Sequence, residues 1–176
     1  MKLFDTKIIS ISNQKGGVGK TTSSINIASY LAASEIPTLI IDMDPQANTT
    51  SGVGLEIENN DQSIYDVIIK NIDVKDVIQK TQLEYLDIIP SSSQLVGAEI
   101  ELVSEIRREY MLKEALKKIE GQYKYVIIDS PPSLGLLTVN IFTAVDSLII
   151  PIQCEYYALE GLSQLLNTVR LIQNNL

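Results

Sequence analysis

The sequence contains no histidine and only one cysteine, Cys154. The lack of histidine removes the commonest metal ligand and the commonest general base, so any chemistry must rest on carboxylates, lysines, hydroxyls and a metal ion. A single cysteine excludes an internal disulfide and an iron–sulfur cluster held by several cysteines of one chain. The apolar neighbours of Cys154 predict a buried, structural thiol.

Basic residues and long apolar runs are also scarce. The chain has 14 Lys and Arg against 22 Asp and Glu, a formal net charge of −8, which argues against a nucleic-acid surface over the whole chain. No apolar run approaches the length that crosses a bilayer, and the first predicted strand leaves no room for a signal peptide. We expect a cytoplasmic protein. With 176 residues, 45% of them apolar, residues 1–176 are predicted to form a single globular domain.

A glycine-rich segment stands between an apolar run at residues 8–11 and a segment of helical spacing at residues 21–31. It consists of Lys15, Gly16, Gly17, Val18, Gly19, Lys20, Thr21 and Thr22. A strand, a glycine loop and a helix in this order are typical of a phosphate-binding loop, whose N–H groups converge on an anion at the helix N-terminus. Lys20 is expected to contact the β and γ phosphates of a nucleotide, and the Thr21 hydroxyl to hold Mg²⁺.

Two further apolar runs end in aspartate. Residues 38–42 (TLIID) end at Asp42 and lead to Asp44, and residues 125–129 (YVIID) end at Asp129. Ligands bind at the carboxyl ends of strands in open α/β sheets, so these carboxylates are expected near the glycine loop. Asp129 fits the Walker B pattern and would orient Mg²⁺ through a bound water. For Asp42, a helix or turn cap is an equally good interpretation.

The remaining pattern completes an α/β fold. Residues 86–90 and 147–151 are predicted strands, and a polar loop is predicted at 56–62. Helices are predicted at 63–70 and 73–80, each starting at a Ser or Asp suited to N-capping. Further helices are predicted at 94–120 with a break near Ser104, and in an amphipathic segment that ends at Leu176. Basic residues of the 94–120 segment alternate with glutamates, which indicates a solvated face rather than a nucleic-acid site. The predicted fold is a doubly wound, mostly parallel sheet flanked by helices.

The glycine loop departs from the general phosphate-loop pattern, because Gln14 replaces the first glycine and Lys15 is an additional lysine. With this loop, the DMDPQ and IIDSPPS segments, and QCEYYALEG after the last strand, the whole chain resembles the ParA/MinD/Soj class of P-loop ATPases. The ParA/Soj branch is the more similar one. Ala47 stands where family members often have glycine, and Ser130 where cysteine is common.

The resemblance implies a P-loop NTPase fold with ATP and Mg²⁺ as cofactors. It gives catalytic roles to Lys15, Lys20 and Asp44. Lys15 would reach across a two-fold axis to the nucleotide of the partner subunit, and Asp44 would position the attacking water. Thr21 would bind the metal ion, and Asp129 would orient it.

The resemblance also implies a slow, Mg²⁺-dependent ATPase that forms a homodimer on ATP binding and drives chromosome or plasmid segregation. A ParB-like protein with a basic N-terminal segment would accelerate hydrolysis. Family members continue past the last helix into segments that contact adenine and DNA, so the pattern predicts a C-terminally shortened chain. We therefore expect nucleoid association and non-specific DNA binding of a complete protein, weak or no DNA binding of these 176 residues, and no membrane binding.

Two alternatives remain open from the sequence. One is a MinD-like membrane-cycling ATPase in division-site placement, although the last residues form no basic, strongly amphipathic helix. The other is a regulatory paralogue that binds nucleotide without hydrolysis. Against it, the chain carries every residue that the resemblance assigns to catalysis and metal binding.

Overall fold

The computed structural model describes residues 2–57, 61–155 and 158–176. Its strands are β1 Lys7–Ile11, β2 Thr38–Asp42, β3 Gln79–Lys80, β4 Leu86–Ile89, β5 Tyr125–Asp129 and β6 Ser147–Ile149. Its α-helices are α1 Lys20–Ala33, α2 Asn48–Gly52, α3 Ile64–Ile68, α4 Val74–Val77, α5 Leu95–Glu101, α6 Met111–Lys117, α7 Leu136–Ala144 and α8 Ala158–Asn175, and a 3-10 turn, Leu102–Ser104, extends α5.

The strands form one sheet in the order β3-β4-β2-β5-β1-β6. All neighbouring strands are parallel except β3, which pairs antiparallel with β4. In this register Asp42 of β2 is the partner of Asp129 of β5, and Asp129 is also the partner of Ile11 of β1. The predicted fold class is confirmed, and the register brings both strand-terminal aspartates to the edge where the glycine loop begins.

A hydrophobic core covers each face of the sheet. On β2, Leu39 and Ile41 contribute to one core, while Ile40 contributes to the other together with Ala28 and Ala32 of α1. Successive residues of a strand point to opposite faces, so an unbroken apolar run such as TLII fits a strand that is buried on both sides. The sheet is therefore a central layer between helices. The polar residues at its carboxyl edge, Asp42 and Asp129, are available for a binding site.

The predicted strands are all present, but several helices differ from the prediction. The predicted break of the 94–120 helix near Ser104 is present, but it is longer than predicted. Glu105 is extended, Arg107 has a left-handed φ of 60°, and α6 begins only at Met111. The predicted helix at 73–80 is only α4, followed by β3. Helices α2 and α7 were not predicted.

Two local predictions hold at the helix starts. Ser63 and Asp66 form a capping box at α3, and Asp73 accepts a hydrogen bond from the backbone N–H of Lys75 at α4. The predicted loop at 56–62 lies partly outside the described residues. Within the described part of the chain, no helix is long and apolar enough to span a bilayer.

Candidate nucleotide-binding site

The loop between β1 and α1 lines a cleft of about 370 Å³ at the carboxyl edge of the sheet. The lining residues are Gly16, Gly17, Gly19, Lys20, Thr21, Thr22, Asp44, Asn48 and Pro132. Gly17 and Gly19 have φ values of 72° and 89°, a left-handed conformation that favours glycine. Gly19 is the N-cap of α1, so the helix N-terminus opens onto the cleft. Such an N-terminus is suited to a phosphate group.

Lys20 is a nearly buried residue whose ammonium is partly buried at this cleft. Its side chain is 8% exposed, and Nζ donates a long hydrogen bond of 3.3 Å to the backbone oxygen of Lys15. Burial lowers the pKa of Lys20, while the negative charges of Asp129 and Asp44 act in the opposite direction. Among the described residues, no carboxylate lies within ion-pair distance of Nζ. A bound anion would supply a negative charge next to this partly desolvated ammonium.

Asp129 lies behind the cleft at the end of β5 and is 1% exposed. Its Oδ2 accepts hydrogen bonds from the hydroxyls of Thr21 at 2.7 Å and Thr49 at 2.6 Å, and its Oδ1 accepts one from Ser24 at 3.1 Å. Burial raises the pKa of Asp129, and the three hydroxyl hydrogen bonds offset part of that effect. Asp129 and Thr21 thus present a carboxylate and a hydroxyl oxygen side by side.

The two aspartates of the DMDPQ segment have different surroundings. Asp44 is half-buried, lines the cleft, and its carboxylate accepts a hydrogen bond from the backbone N–H of Gln46 at 2.9 Å. Asp42 is fully buried, and it accepts hydrogen bonds from the backbone N–H of Asp44 and from both the N–H and the hydroxyl of Thr50. Asp42 therefore fastens α2 to the sheet, as the cap interpretation predicted.

Ala47, which precedes α2, has a φ of 52°. This left-handed conformation costs a residue with a β-carbon roughly 1 kcal/mol, and glycine would adopt it without that cost. The position at which the family often has glycine is therefore one where the backbone favours it.

The segment after β6 reaches back to the glycine loop. The side-chain amide of Asn13 donates to the oxygen of Pro151 at 2.8 Å, and that of Gln153 donates to the oxygen of Gly17 at 3.0 Å. The ammonium of Lys15 forms an ion pair with Glu155. Lys15 is consequently held at the rim and is not among the residues that line the cleft.

The prediction for Cys154 was wrong, because its thiol is exposed. Cys154 follows Ile152 and Gln153, which are also exposed, in the segment that crosses the glycine loop. Strand β6 ends at Ile149 and Ile150 still packs against the core, but residues 152–155 are exposed at the rim of the sheet.

Of the predicted site residues, Gly16, Gly17, Gly19, Lys20, Thr21, Thr22 and Asp44 line the cleft, whereas Lys15, Val18 and Asp129 do not. Val18 is buried, and Asp129 reaches the cleft through Thr21. The assigned roles stay predictions.

Sequence reasoning missed Ser24, Thr49, Gln153 and Glu155. Ser24 lies three residues after Thr21 and so on the same face of α1, which is a signal that the sequence did contain. The other three residues reach the site through contacts over 80 to 140 positions of chain.

The sheet, the glycine loop at the start of α1 and the Thr21–Asp129 pair define a P-loop nucleotide-binding protein. Residues 6–176 match the family described as the AAA domain. The chain is 58% identical over 170 residues to the sporulation initiation inhibitor protein Soj of Bacillus subtilis, and 51% identical over 170 residues to the chromosome partitioning protein ParA of Myxococcus xanthus. The chain belongs to the ParA/Soj family of P-loop ATPases.

These matches cover 97% of this chain but 67% and 60% of the two relatives. Among solved structures, a cobyrinic acid a,c-diamide synthase of Mycobacterium smegmatis with bound ADP and magnesium is 36% identical. Its TM-score is 0.92, with 97% of this chain and 69% of that chain covered. A plasmid partition protein of Borrelia burgdorferi is 34% identical, with a TM-score of 0.86 and coverage of 96% and 74%.

Proposed function

We propose that this chain binds ATP with Mg²⁺ in the cleft and hydrolyses it to ADP and phosphate, as a dimerisation switch in chromosome or plasmid segregation. The observation that carries the proposal is Lys20, a nearly buried residue whose ammonium lies at a glycine-lined cleft without a carboxylate partner among the described residues. A nucleotide phosphate fits this position in charge and geometry.

The residues beside Lys20 fit Mg²⁺. Within the described residues no group of three carboxylate or thiol side chains converges, so the site offers the Thr21 hydroxyl and the Asp129 carboxylate, 2.7 Å apart. Mg²⁺ needs few protein oxygens because it keeps several waters and binds substrate phosphates. When bound, the ion would neutralise charge on the phosphates.

Hydrolysis requires that a water be held against the γ phosphate. Asp44 lines the same cleft as Lys20, and its carboxylate is oriented by the N–H of Gln46. Such a carboxylate contributes by positioning the water, and phosphoryl transfer depends mainly on positioning and electrostatic stabilisation.

Dimerisation on ATP binding is supported by the rim of the loop. A β-carbon added at Gly16 would meet no atom within 4 Å, so the loop is open to a close approach by a second subunit. Lys15 lies at that rim, outside its own cleft, where its charge is shared with Glu155. Across a two-fold axis Lys15 could neutralise the phosphates of the partner subunit.

The names of the similar relatives support a role in partitioning rather than in membrane cycling. A ParB-like protein would be the activating partner, and a complete protein would bind duplex DNA in the cytoplasm. In this chain, the basic residues of the 107–118 region are largely paired with acidic ones. The pairs are Arg107–Glu114, Arg108–Glu109, Lys117–Glu114 and Lys118–Asp73. Weak or no DNA binding by these 176 residues therefore remains the expectation.

Two variants test the function. Lys20→Ala should weaken ATP binding at least about 30-fold, because it removes the charged donor to the phosphates. Asp44→Ala should leave ATP affinity nearly unchanged and lower turnover about 100-fold, because positioning a water acts on the transition state. Calorimetry with ATP and a phosphate-release assay give the two readouts.

Lys75→Ala is the matched control for Lys20→Ala, since Lys75 is an exposed lysine. It should behave as the parent chain does. Unchanged ATP affinity in Lys20→Ala would show that ATP does not bind at this cleft. Parental turnover in Asp44→Ala would show that Asp44 only stabilises its turn.

A further inference from the structure

The loop between β5 and α7, residues 130–135, borders the nucleotide cleft through Pro132. The start of the loop is fixed by Ser130, whose hydroxyl donates a hydrogen bond to a backbone oxygen of β1 at 2.9 Å. Near its end, the hydroxyl of Thr138 donates to the backbone oxygen of Ser133 at 2.5 Å. Pro132 itself is exposed. The contacts of this loop therefore decide where Pro132 lies at the cleft.

A glutamate of α5 contacts the end of this loop. Glu99 packs on Gly135, and a β-carbon added at Gly135 would overlap the Glu99 carboxylate. Gly135 has a φ of −103° in an extended conformation, which any residue can adopt. The glycine is needed here for space and not for its backbone freedom. The position of the Glu99 carboxylate thus requires that residue 135 has no side chain.

One oxygen of the Glu99 carboxylate lacks a partner in this position. Oε1 is buried and accepts no hydrogen bond within the described part of the chain, and an unsatisfied buried oxygen costs free energy. Gly135 is also the N-cap of α7, which no side chain caps among the residues that the structure describes. The first N–H groups of a helix have no intrahelical acceptor and carry positive partial charge. The carboxylate therefore lies where α7 favours a negative charge.

We propose that Glu99 is a positioning residue for ATP turnover. Its carboxylate holds Gly135 and the start of α7, and the loop then places Pro132 at the cleft. Glu99 is not among the residues that line the cleft, so its effect falls on hydrolysis rather than on ATP affinity. A displaced loop would disturb the arrangement of groups around the γ phosphate, and small displacements are costly for such reactions. This inference rests on the proposed ATPase function.

A second glutamate and glycine of α5 provide a matched comparison. A β-carbon added at Gly97 would lie 3.0 Å from Oε1 of Glu101. Glu101 is exposed and accepts hydrogen bonds from the hydroxyl of Tyr65 on α3. The Gly97–Glu101 pair thus lies within α5, whereas the Glu99–Gly135 pair joins α5 to the loop at the cleft.

The first test removes the carboxylate. Glu99→Ala should lower the rate of phosphate release at saturating ATP about 10-fold. Its dissociation constant for ATP, measured by calorimetry, should stay within about twofold of the parent value. Glu99→Gln can still pack on Gly135 and should lose less activity than Glu99→Ala. Glu101→Ala is the control and should match the parent. Parental turnover in Glu99→Ala would overturn the proposal.

Gly135→Ala tests the same contact from the other side. Its methyl group would displace the Glu99 carboxylate while the backbone conformation stays allowed, so this variant should reproduce the loss of turnover in Glu99→Ala. The double variant should be no slower than either single variant, because the methyl group then has space. Gly97→Ala, the matched control, should keep parental turnover. Losses that multiply in the double variant would show that the two residues act independently, and would overturn the proposal.

A measurement without ATP separates this inference from the proposed function. Hydrogen exchange followed by mass spectrometry should show residues 130–139 exchanging at least about 10-fold faster in Glu99→Ala than in the parent, with no change in Glu101→Ala. Circular dichroism melts check that both variants retain the fold. A parent chain that releases no phosphate would refute the ATPase function, and the exchange rates would still decide whether Glu99 holds the loop. Equal exchange in Glu99→Ala and the parent would overturn the inference.

Discussion

Asp42 and Asp129 end neighbouring strands, pair in register and are both buried, yet their surroundings give them different tasks. Asp42 receives its hydrogen bonds from the chain that follows it, at Asp44 and Thr50. Asp129 receives its own from three hydroxyls, two of them on α1 beside the phosphate loop. The same residue type at the same edge is a structural anchor in one strand and a candidate metal-site residue in the other.

The difference comes from which elements reach each carboxylate. Helix α2 begins a few residues after Asp42 and is fastened by it, and the same helix sends Thr49 to Asp129. Thr21, which lines the cleft, contacts Asp129, whereas Asp42 contacts Thr50 of α2 and does not line the cleft. Local sequence is almost identical at the two sites, TLIID against YVIID, and tertiary contacts decide the role.

Removing the Asp42 carboxylate should have the largest effect on stability. Asp42→Ala leaves buried donors of Thr50 without an acceptor, and should lower the free energy of unfolding by about 2–4 kcal/mol. Asp44→Ala is the control, because Asp44 is half-buried and its carboxylate accepts a hydrogen bond from a single neighbouring N–H, that of Gln46, within the described part of the chain. Urea unfolding followed by circular dichroism measures both variants. Equal losses in the two would show that Asp42 is not the anchor.

The pH dependence of the free energy of unfolding should also show the raised pKa of Asp42. Burial raises its pKa from the ordinary value of 3.8 to about 6, so the folded protein binds this proton more tightly than the unfolded chain. Its ionised form is penalised above pH 6, and its contribution to stability grows as pH falls through 6 toward 3.8, by up to about 3 kcal/mol.

The reference for this experiment is Asp42→Asn, which cannot ionise at this position. Urea unfolding of both proteins between about pH 7.5 and about pH 4.5 should show the parent gaining stability relative to the variant as pH falls. Parallel pH profiles would mean that Asp42 has the same pKa in the folded and unfolded states.

Asp129→Asn should weaken Mg²⁺ binding more than it lowers the stability of the fold. The amide retains an oxygen acceptor for the neighbouring hydroxyls, but it loses the negative charge that favours Mg²⁺. The Mg²⁺ concentration for half-maximal ATP binding should rise about 10-fold, with an unfolding free energy within about 1 kcal/mol of the parent. Titration of Mg²⁺ at fixed ATP provides the measurement. An unchanged Mg²⁺ requirement together with a large loss of stability would make Asp129 a second anchor like Asp42.

The smallest expected effect concerns Glu155, at the rim of the same cleft. Glu155→Gln removes the carboxylate that pairs with Lys15, and this exposed pair contributes no more than about 1 kcal/mol. Freed Lys15 should favour the ATP-bound dimer by up to about fivefold, as measured by light scattering with a slowly hydrolysed ATP analogue. Glu120→Gln, at the exposed pair with Lys2, should change nothing. Weaker dimerisation in Glu155→Gln would indicate that Glu155 supports the dimer instead.

The sequence by itself determined the five parallel strands, the phosphate loop and the order of its motifs, because apolar strands, glycine turns and caps are local patterns, whereas the short antiparallel β3 was predicted as part of a helix. Ser63 shows this well, since its capping box involves residues three positions apart. The break of the 94–120 helix near Ser104 was predicted, but its length was not, because it includes a left-handed residue, Arg107, whose identity gives little sign of that conformation.

Only the tertiary structure decided what each site residue contacts. Thr49 meets Asp129 over 80 positions of chain, and Glu155 meets Lys15 over 140. The same is true of the exposed Cys154 and of Glu99 against Gly135, which depend on where loops cross the sheet edge. Such contacts follow from strand order, register and loop closure, which are properties of the whole fold, and no local run of residues encodes them.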